Sequence, residues 1–120
     1  MIVGTFRDGT PRVTLAVSGS RGTREIEFVV DTAFTGALSL PPGILQKIGA
    51  IPDNRVRCRL ASGVEEFAAA ATVSVGWLRG DLSSEAIIYE NNPLIGTALF
   101  DDCLLTVEAT EGGEVVIEAL

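Results

Sequence analysis

The chain contains no histidine. This absence excludes Ser-His-Asp and Cys-His nucleophilic catalysis, HExxH zinc hydrolysis and most transition-metal sites, because each of them uses an imidazole. The glycine patterns that cradle phosphates, Gly-x-x-x-x-Gly-Lys and Gly-x-Gly-x-x-Gly, are also missing. Carboxylates are therefore the groups that we expect to carry any chemistry, and no metal or other cofactor is indicated.

Positive charge is scarce, since Lys47 is the only lysine and the formal net charge is -7. Nucleic-acid binding rests mainly on Lys and Arg side chains, so no nucleic-acid partner is expected. The arginines are spread along the chain except for Arg55, Arg57 and Arg59, which alternate with apolar residues. Such alternation is typical of a strand with one solvent-exposed face, so we expect these three arginines to be solvated or paired with acids.

Cysteine and long apolar runs are scarce as well. Cys58 and Cys103 lie far apart and form no Cys-x-x-Cys pattern, which argues against a zinc site or a redox pair. No apolar run is long enough to span a membrane, and the first residues, which lead into Arg7 and Asp8, do not resemble a signal peptide. We therefore expect a cytoplasmic protein with reduced cysteines and no membrane partner.

Apolar character is abundant by contrast. Hydrophobic residues make up 47% of the 120 residues, and the mean hydropathy is +0.36. This length suits one domain over residues 1–120, and a domain of this size exposes much of its surface. Some of the apolar surface is therefore expected at an interface between subunits.

The hydrophobic pattern predicts many short strands separated by turns. Strands are predicted over 1–6, 12–18, 24–30, 55–60, 64–75, 82–89, 104–109 and 114–117. Short helices are predicted over 42–49, where Pro42 and Gly49 suit the two ends, and over 97–102. Short strands at such regular intervals predict an all-β barrel or sandwich that carries two short helices.

One of these strands ends abruptly in a carboxylate. The apolar segment Phe28-Val29-Val30 leads directly into Asp31, and the turn Thr32-Ala33-Phe34-Thr35-Gly36 follows it. The simplest interpretation is that Asp31 caps this turn through its own backbone, since Asp is common after a strand. Two further segments favour a second interpretation: the small hairpin tip Ala61-Ser62-Gly63, and Leu94-Ile95-Gly96 before the second helix.

The set of these three segments, in this order, resembles the retropepsin-like aspartic proteases. The strand that ends in Val-Val-Asp-Thr-Ala, with Phe34 after it and Leu38-Ser39-Leu40-Pro41 beyond, is most similar to the small stand-alone bacterial and archaeal members. The resemblance covers nearly the whole chain. It implies a small acid-protease barrel of short strands and an aspartic endopeptidase that needs no cofactor.

The resemblance also implies a symmetric homodimer. Aspartic proteases use two carboxyl groups about 3 Å apart that share one proton, because two like charges so close together cannot both ionise. This chain has one Asp-Thr motif, so a two-fold axis would have to bring Asp31 from a second copy. The termini help to hold the dimer in relatives, and the apolar strand Val115–Ile117 is expected to contribute here.

Three groups of residues receive roles from the resemblance. Asp31 is the expected catalytic carboxylate, Thr32 is expected to hold the two turns together across the axis, and Ala33 is expected to offer its N–H to the carboxylate. The expected substrate-binding residues, at the side-chain pocket and at the flap tip that closes on an extended peptide or protein substrate, are Phe34, Ala61, Ser62 and Gly63. The residues expected to support the Asp31 turn from below are Leu94, Ile95 and Gly96.

Ala33 is a departure from the more common Asp-Thr-Gly. If this position required a positive φ, alanine would cost about 1 kcal/mol or more, whereas it is harmless if only the N–H is needed. An alternative function is therefore a proteolytically inactive dimerisation or peptide-binding module on the same fold. A third hypothesis is an unrelated small β-barrel in which Asp31 is structural.

Overall fold

The computed structural model of the chain describes residues 1–59 and 62–120, without the side chain of Cys58. Within these ranges it is mainly strand with two short helices. The strands are β1 (Ile2–Arg7), β2 (Thr10–Gly19), β3 (Gly22–Val30), β4 (Leu38–Leu40), β5 (Pro52–Arg59), β6 (Glu65–Trp77), β7 (Gly80–Ile88), β8 (Leu94–Ile95), β9 (Cys103–Val107) and β10 (Glu114–Ala119). The helices are α1 (Pro42–Ile48) and α2 (Thr97–Phe100). The all-β prediction is therefore confirmed.

Alternating side chains place β2 and β3 against the core. Val13, Leu15 and Val17 on β2 are buried, and so are Ile26 and Phe28 on β3. The two strands pair in an antiparallel hairpin in which Leu15 lies opposite Ile26. Because every second residue of a strand points to the same face, this register puts both apolar sets on one side.

The strand pairings form a closed ring. The sheet runs in the order β5-β6-β7-β4-β8-β3-β2-β1-β10-β9, and β6 pairs in addition with β2. That extra contact joins Val17 to Val75 and Ser18 to Ser74. The described strands β2, β6, β7, β4, β8 and β3 therefore close on one another as a small barrel, while β1, β10 and β9 extend from one side of it.

The short strand β8 lies between β3 and β4, although β3 and β4 are consecutive along the chain. It runs parallel to β3, with Val30 opposite Ile95, and antiparallel to β4, with Leu38 opposite Ile95. The connection from β3 to β4 must therefore pass over the end of β8. This topology brings the segment 31–37 next to the segment 95–98.

The two helices agree with the predicted positions, although α2 is shorter than expected. In α1, Pro42 lies in the first turn and Gly49 ends the helix at φ 75°, which is the left-handed conformation that glycine adopts readily. The second helix ends at Phe100 because Asp101 is extended and Asp102 has φ 61°. Neither described helix is long and apolar enough to cross a membrane.

The apolar residues Val115 and Ile117 of the C-terminal strand β10 are buried within the chain. It pairs with β1 on one side and with β9 on the other. Val115 and Ile117 are 0% exposed and belong to the main core. The expectation that these two side chains belong to a subunit interface is therefore wrong, because the rest of the same chain already covers them.

An ion-pair cluster lies on the outer face of β3. Glu27 accepts a hydrogen bond from Arg7 Nη1 at 3.0 Å and one from Arg12 Nη1 at 3.1 Å. The hydrogen bond from Arg7 is the main cause that lowers the pKa of Glu27 below its ordinary value, and Arg12 adds to it. The carboxylate therefore stabilises the folded chain when it is ionised.

We predict that Glu27→Gln lowers the free energy of unfolding at pH 7 by up to about 1 kcal/mol, because the pair is partly exposed. A carboxylate whose pKa is lower in the folded state stabilises the fold at pH values above its unfolded-state pKa. This stabilisation is lost as the pH falls through the folded-state pKa. The difference between the variant and the parent should therefore disappear in urea unfolding below the pKa of Glu27. Glu25→Gln, an exposed position on the same strand, is the control and should change little at either pH.

Candidate active site

Asp31 stands where β3 ends and the chain turns over β8. Its backbone N–H donates to Ile95 O at 2.9 Å, and its backbone carbonyl accepts from the Phe34 N–H at 3.2 Å. The first bond continues the pairing of β3 with β8 by one residue. The position of Asp31 is thus set by the sheet, and its half-buried side chain projects from a fixed backbone.

Ala33 holds the carboxylate of Asp31 with its backbone. The Ala33 N–H donates to Asp31 Oδ1 at 2.9 Å. Among the described residues other than glycine, only Asp8 and Asp102 have positive φ, so Ala33 does not need the conformation that favours glycine. The turn uses only the N–H of this residue, and alanine in place of glycine introduces no backbone strain there.

The turn presents some of its residues to solvent and buries one. Thr32, Ala33 and Thr35 are exposed, whereas Phe34 is 4% exposed. The side of the turn that carries the Asp31 carboxylate and the Thr32 hydroxyl is therefore open to another molecule. Both groups can hydrogen-bond to a partner without any displacement of the core.

Backbone groups of the segment 96–98 lock the turn from below. The Gly96 N–H donates to Ala37 O at 2.9 Å, and the Thr97 N–H donates to Phe34 O at 2.8 Å. A Cβ atom on Gly96 would lie 2.3 Å from Gly36 O and 2.4 Å from Phe34 O. Only glycine fits this crossing of two backbones, and the structure brings Leu94, Ile95 and Gly96 directly under the Asp31 turn.

Phe34 links the Asp31 turn to the hairpin formed by β5 and β6, which we call the flap. It forms a small buried cluster with Ile87, and the partly buried residues packed against this pair are Val56, Ala68, Tyr89 and Leu94. A direct contact of Phe34 with a substrate stays a prediction, and at 4% exposure little of the side chain is open to one.

The flap also touches the turn through its backbone. The Arg59 N–H donates to Thr35 Oγ1 at 3.4 Å, a long contact that is easily broken. Ser62 and Gly63 lie in the turn of the hairpin and are exposed, with Gly63 at φ 86°. Ala61, the remaining residue predicted at the flap tip, lies outside the described residues.

A cavity of about 360 Å³ lies between the flap and the Asp31 turn. Thr35 and Gly36 form one wall, Arg57 of the flap forms another, and Ser83 and Glu85 of β7 line it as well. The sequence did not indicate Ser83 or Glu85, because nothing in a local pattern shows which face of β7 the flap covers. These residues come together only when the β5–β6–β7 sheet folds over the turn.

Other reactive groups of the described chain have ordinary structural explanations. Burial is the main cause that raises the pKa of the Cys103 thiol, and Asp102 adds to it, so this sulfur is a poor nucleophile. Among residues 1–59 and 62–120, no group of three or more Cys, Asp and Glu side chains is placed to hold a metal ion.

No known family model matches the chain, and no curated protein is significantly similar to it.

We predict that Gly96→Ala lowers the free energy of unfolding by about 3 kcal/mol, because the new Cβ would collide with two carbonyl oxygens of the Asp31 turn. The matched control is Gly43→Ala in α1, where an added Cβ meets nothing within 4 Å. It should stabilise by about 0.5 kcal/mol or more, since alanine is the better helix former. Equal urea midpoints for the two variants would contradict the close crossing at Gly96.

Proposed function

We propose that this chain is an aspartic endopeptidase whose active site forms when two copies pair, each with its own Asp31. The observation that carries the proposal is the construction of the Asp31 turn. A carboxylate is held by the Ala33 N–H at 2.9 Å on a rigid turn, its neighbour Thr32 is exposed, and a hairpin covers the turn from the other side. An extended peptide fits between the turn and the flap.

Two carboxyl groups suffice for the chemistry. One Asp31 carboxylate takes a proton from a water molecule, whose oxygen attacks the carbonyl carbon of the scissile peptide bond. The other Asp31, protonated, gives its proton to the carbonyl oxygen. When the resulting gem-diol collapses, the first Asp31 gives its proton to the peptide nitrogen, the C–N bond breaks, and one diol hydroxyl gives its proton to the second Asp31. The products are a carboxylic acid and an amine, and one proton remains on the pair.

A second copy is the natural source of the second carboxylate. No Asp or Glu occurs between Asp31 and Asp53, so the turn itself supplies only one acid. A two-fold axis through the turn would place the same carboxylate on both sides of one point. The exposed Thr32 would lie on this axis with its partner, where the two hydroxyls can hydrogen-bond across it.

The two outer strands of the sheet differ in a way that indicates where the second copy binds. At one edge, β5 carries Pro52, Asp53 and three arginines, and such residues discourage pairing with another chain. At the other edge, β9 reads Cys-Leu-Leu-Thr-Val without any charge. Within the described residues β9 pairs only with β10, and its Leu104 is 48% exposed.

We therefore place the dimer contact along β9, as an antiparallel pair with the β9 of the second copy. This strand follows α2, and α2 begins directly after Gly96 beneath the Asp31 turn. A contact along β9 is thus connected to the catalytic turn through a short, rigid segment. We propose β9 as the interface strand in place of the C-terminal strand β10, because β10 is already paired on both sides within the chain.

Cleavage of a diverse peptide library, read by mass spectrometry from about pH 3 to pH 7, tests the activity. We predict cleavage with a mildly acidic optimum, because the pair of carboxyls must hold one proton, and loss of cleavage in Asp31→Asn. Asp81→Asn, an exposed acid on β7, should cleave like the parent. A folded dimer that cuts nothing would favour the inactive peptide-binding module, and cleavage by Asp31→Asn would overturn the mechanism.

Light scattering after size-exclusion chromatography tests the interface. We predict that Leu104→Arg raises the dimer dissociation constant at least about tenfold, because it places a charge on the uncharged edge. Ile51→Arg is the control, since Ile51 is another exposed apolar residue, at 77%, and lies between α1 and β5 at the opposite edge of the sheet. An equal effect of both substitutions, or a monomeric parent at micromolar concentration, would contradict the placement along β9.

A further inference from the structure

The cavity between the flap and the Asp31 turn has both apolar and polar walls. Phe34 and the neighbouring aliphatic residues suggest an apolar pocket, and Ile87, which packs against the buried Phe34, lines it. The lining also includes the polar residues Thr35, Ser83 and Glu85. Its volume of about 360 Å³ lies within the range of pockets that hold small ligands, so one side chain of a bound peptide fits there.

Glu85 is the carboxylate of this cavity, and it has no cationic partner. It is exposed, and within the described residues no Lys or Arg nitrogen forms an ion pair with it. In one orientation of the Asn54 amide, its Nδ2 donates to Glu85 Oε1 at 3.4 Å, which is a long contact. In the reversed orientation the nitrogen donates instead to Asp53 Oδ1 at 2.9 Å and to Ala70 O at 3.1 Å, so Glu85 has at most this one weak neutral partner there.

Arg57, the cation in the same lining, is engaged elsewhere. Its Nη1 lies 3.2 Å from Glu65 Oε2, and its guanidinium lies over the ring of Phe67 at 6.0 Å from the ring centre. Hydrogen bonds from Arg59 and Arg57 lower the pKa of Glu65, so this partner stays ionised. Arg57 is thereby held by two residues of the flap itself, and Glu65 offsets part of its charge.

The position of the cavity relates it to the scissile bond. Thr35 and Gly36 in its wall follow Asp31 by a few residues, and Thr35 also receives the flap through Arg59 N–H. An extended peptide advances about 3.3–3.6 Å per residue. Asp31 itself does not line the cavity, so we expect the side chain that enters it to belong to a residue within a few positions of the bond over Asp31. The net charge of -7 attracts cations to the whole surface.

We propose that Glu85 is a specificity-determining residue that selects peptides with Lys or Arg close to the scissile bond. The basic side chain enters the cavity beneath the flap, where its cationic end pairs with the Glu85 carboxylate and is close to the Thr35 and Ser83 hydroxyls. The inference rests on the proposed peptidase function and adds a substrate class to it.

Binding of fluorescein-labelled decapeptides to the Asp31→Asn protein tests this without any cleavage. In the peptides, one position at a time carries Lys, norleucine or Glu within an otherwise uncharged sequence. At one position near the centre, Lys should bind about fivefold more tightly than norleucine, and Glu more weakly than both. Added Glu85→Gln should abolish this difference, and Glu85→Lys should reverse it in favour of Glu.

Asp81→Asn, added to the same protein, is the control because it removes one negative charge from the same strand outside this cavity. It should keep the preference for Lys. The proposal is overturned if no peptide binds, if Lys has no advantage, or if Glu85→Gln and Asp81→Asn reduce the advantage equally, which would indicate a general charge effect.

A failure of the Glu85 proposal can be distinguished from a failure of the proposed peptidase function. If the Lys preference depends on Glu85 but the parent cuts no peptide, the subsite is supported and the peptidase is not. If the parent cuts, Asp31→Asn does not, and cut sites show no basic preference, the peptidase is supported and the role of Glu85 is overturned.

Discussion

The crossing of two backbone segments at Gly96 is the constraint on which the proposed active site depends. The turn after β3 passes so close over this residue that a methyl group has no space. Four N–H groups, those of Asp31, Gly96, Thr97 and Ala98, donate across the crossing. These bonds fix the carboxylate before any substrate arrives, which is the condition under which a positioned group acts efficiently.

The flap is attached to this fixed turn in a less rigid manner. A small apolar cluster around Phe34 joins the turn to the base of the flap. Nearer the tip, the described part of the hairpin reaches Thr35 through the Arg59 N–H at 3.4 Å. In the proposed function, a well-packed base and this long contact suit a hairpin that opens for a peptide and closes over it. The same arrangement leaves the cavity beside Glu85 accessible at the base.

Much of the fold follows from local patterns in the sequence. Alternation identified the hairpin of β2 and β3, and the Pro and Gly positions identified α1. The place of Leu94-Ile95-Gly96 under the turn was expected only from the resemblance to aspartic proteases. The apolar pattern of β10 did not show whether the chain itself or a second copy covers Val115 and Ile117, because both surroundings require the same side chains. The structure places them in the chain's own core.

The lining of the cavity lies beyond the reach of local patterns. Glu85 and Ser83 are exposed alternating residues of β7, and a sequence gives no signal for the part of the fold that faces them. The chain crossing over β8 brings Thr35 next to them, and the folding of the flap over the turn brings Arg57. For Asp31 the pattern left a turn cap and a catalytic carboxylate both open. The Ala33 N–H donates to Asp31 Oδ1, which is the cap that the simpler interpretation predicts, and the catalytic role is what we propose.

The most direct test of the central claim, that one active site contains Asp31 of two copies, is a mixing experiment. Peptide cleavage by a constant amount of parent protein is measured after subunit exchange with a threefold excess of Asp31→Asn. Random pairing leaves about one quarter of the original parent dimers, so activity should fall to about one quarter, and Asp31→Asn that also carries Leu104→Arg should inhibit far less. Unchanged cleavage in the presence of Asp31→Asn would show that one copy acts alone and would contradict the account.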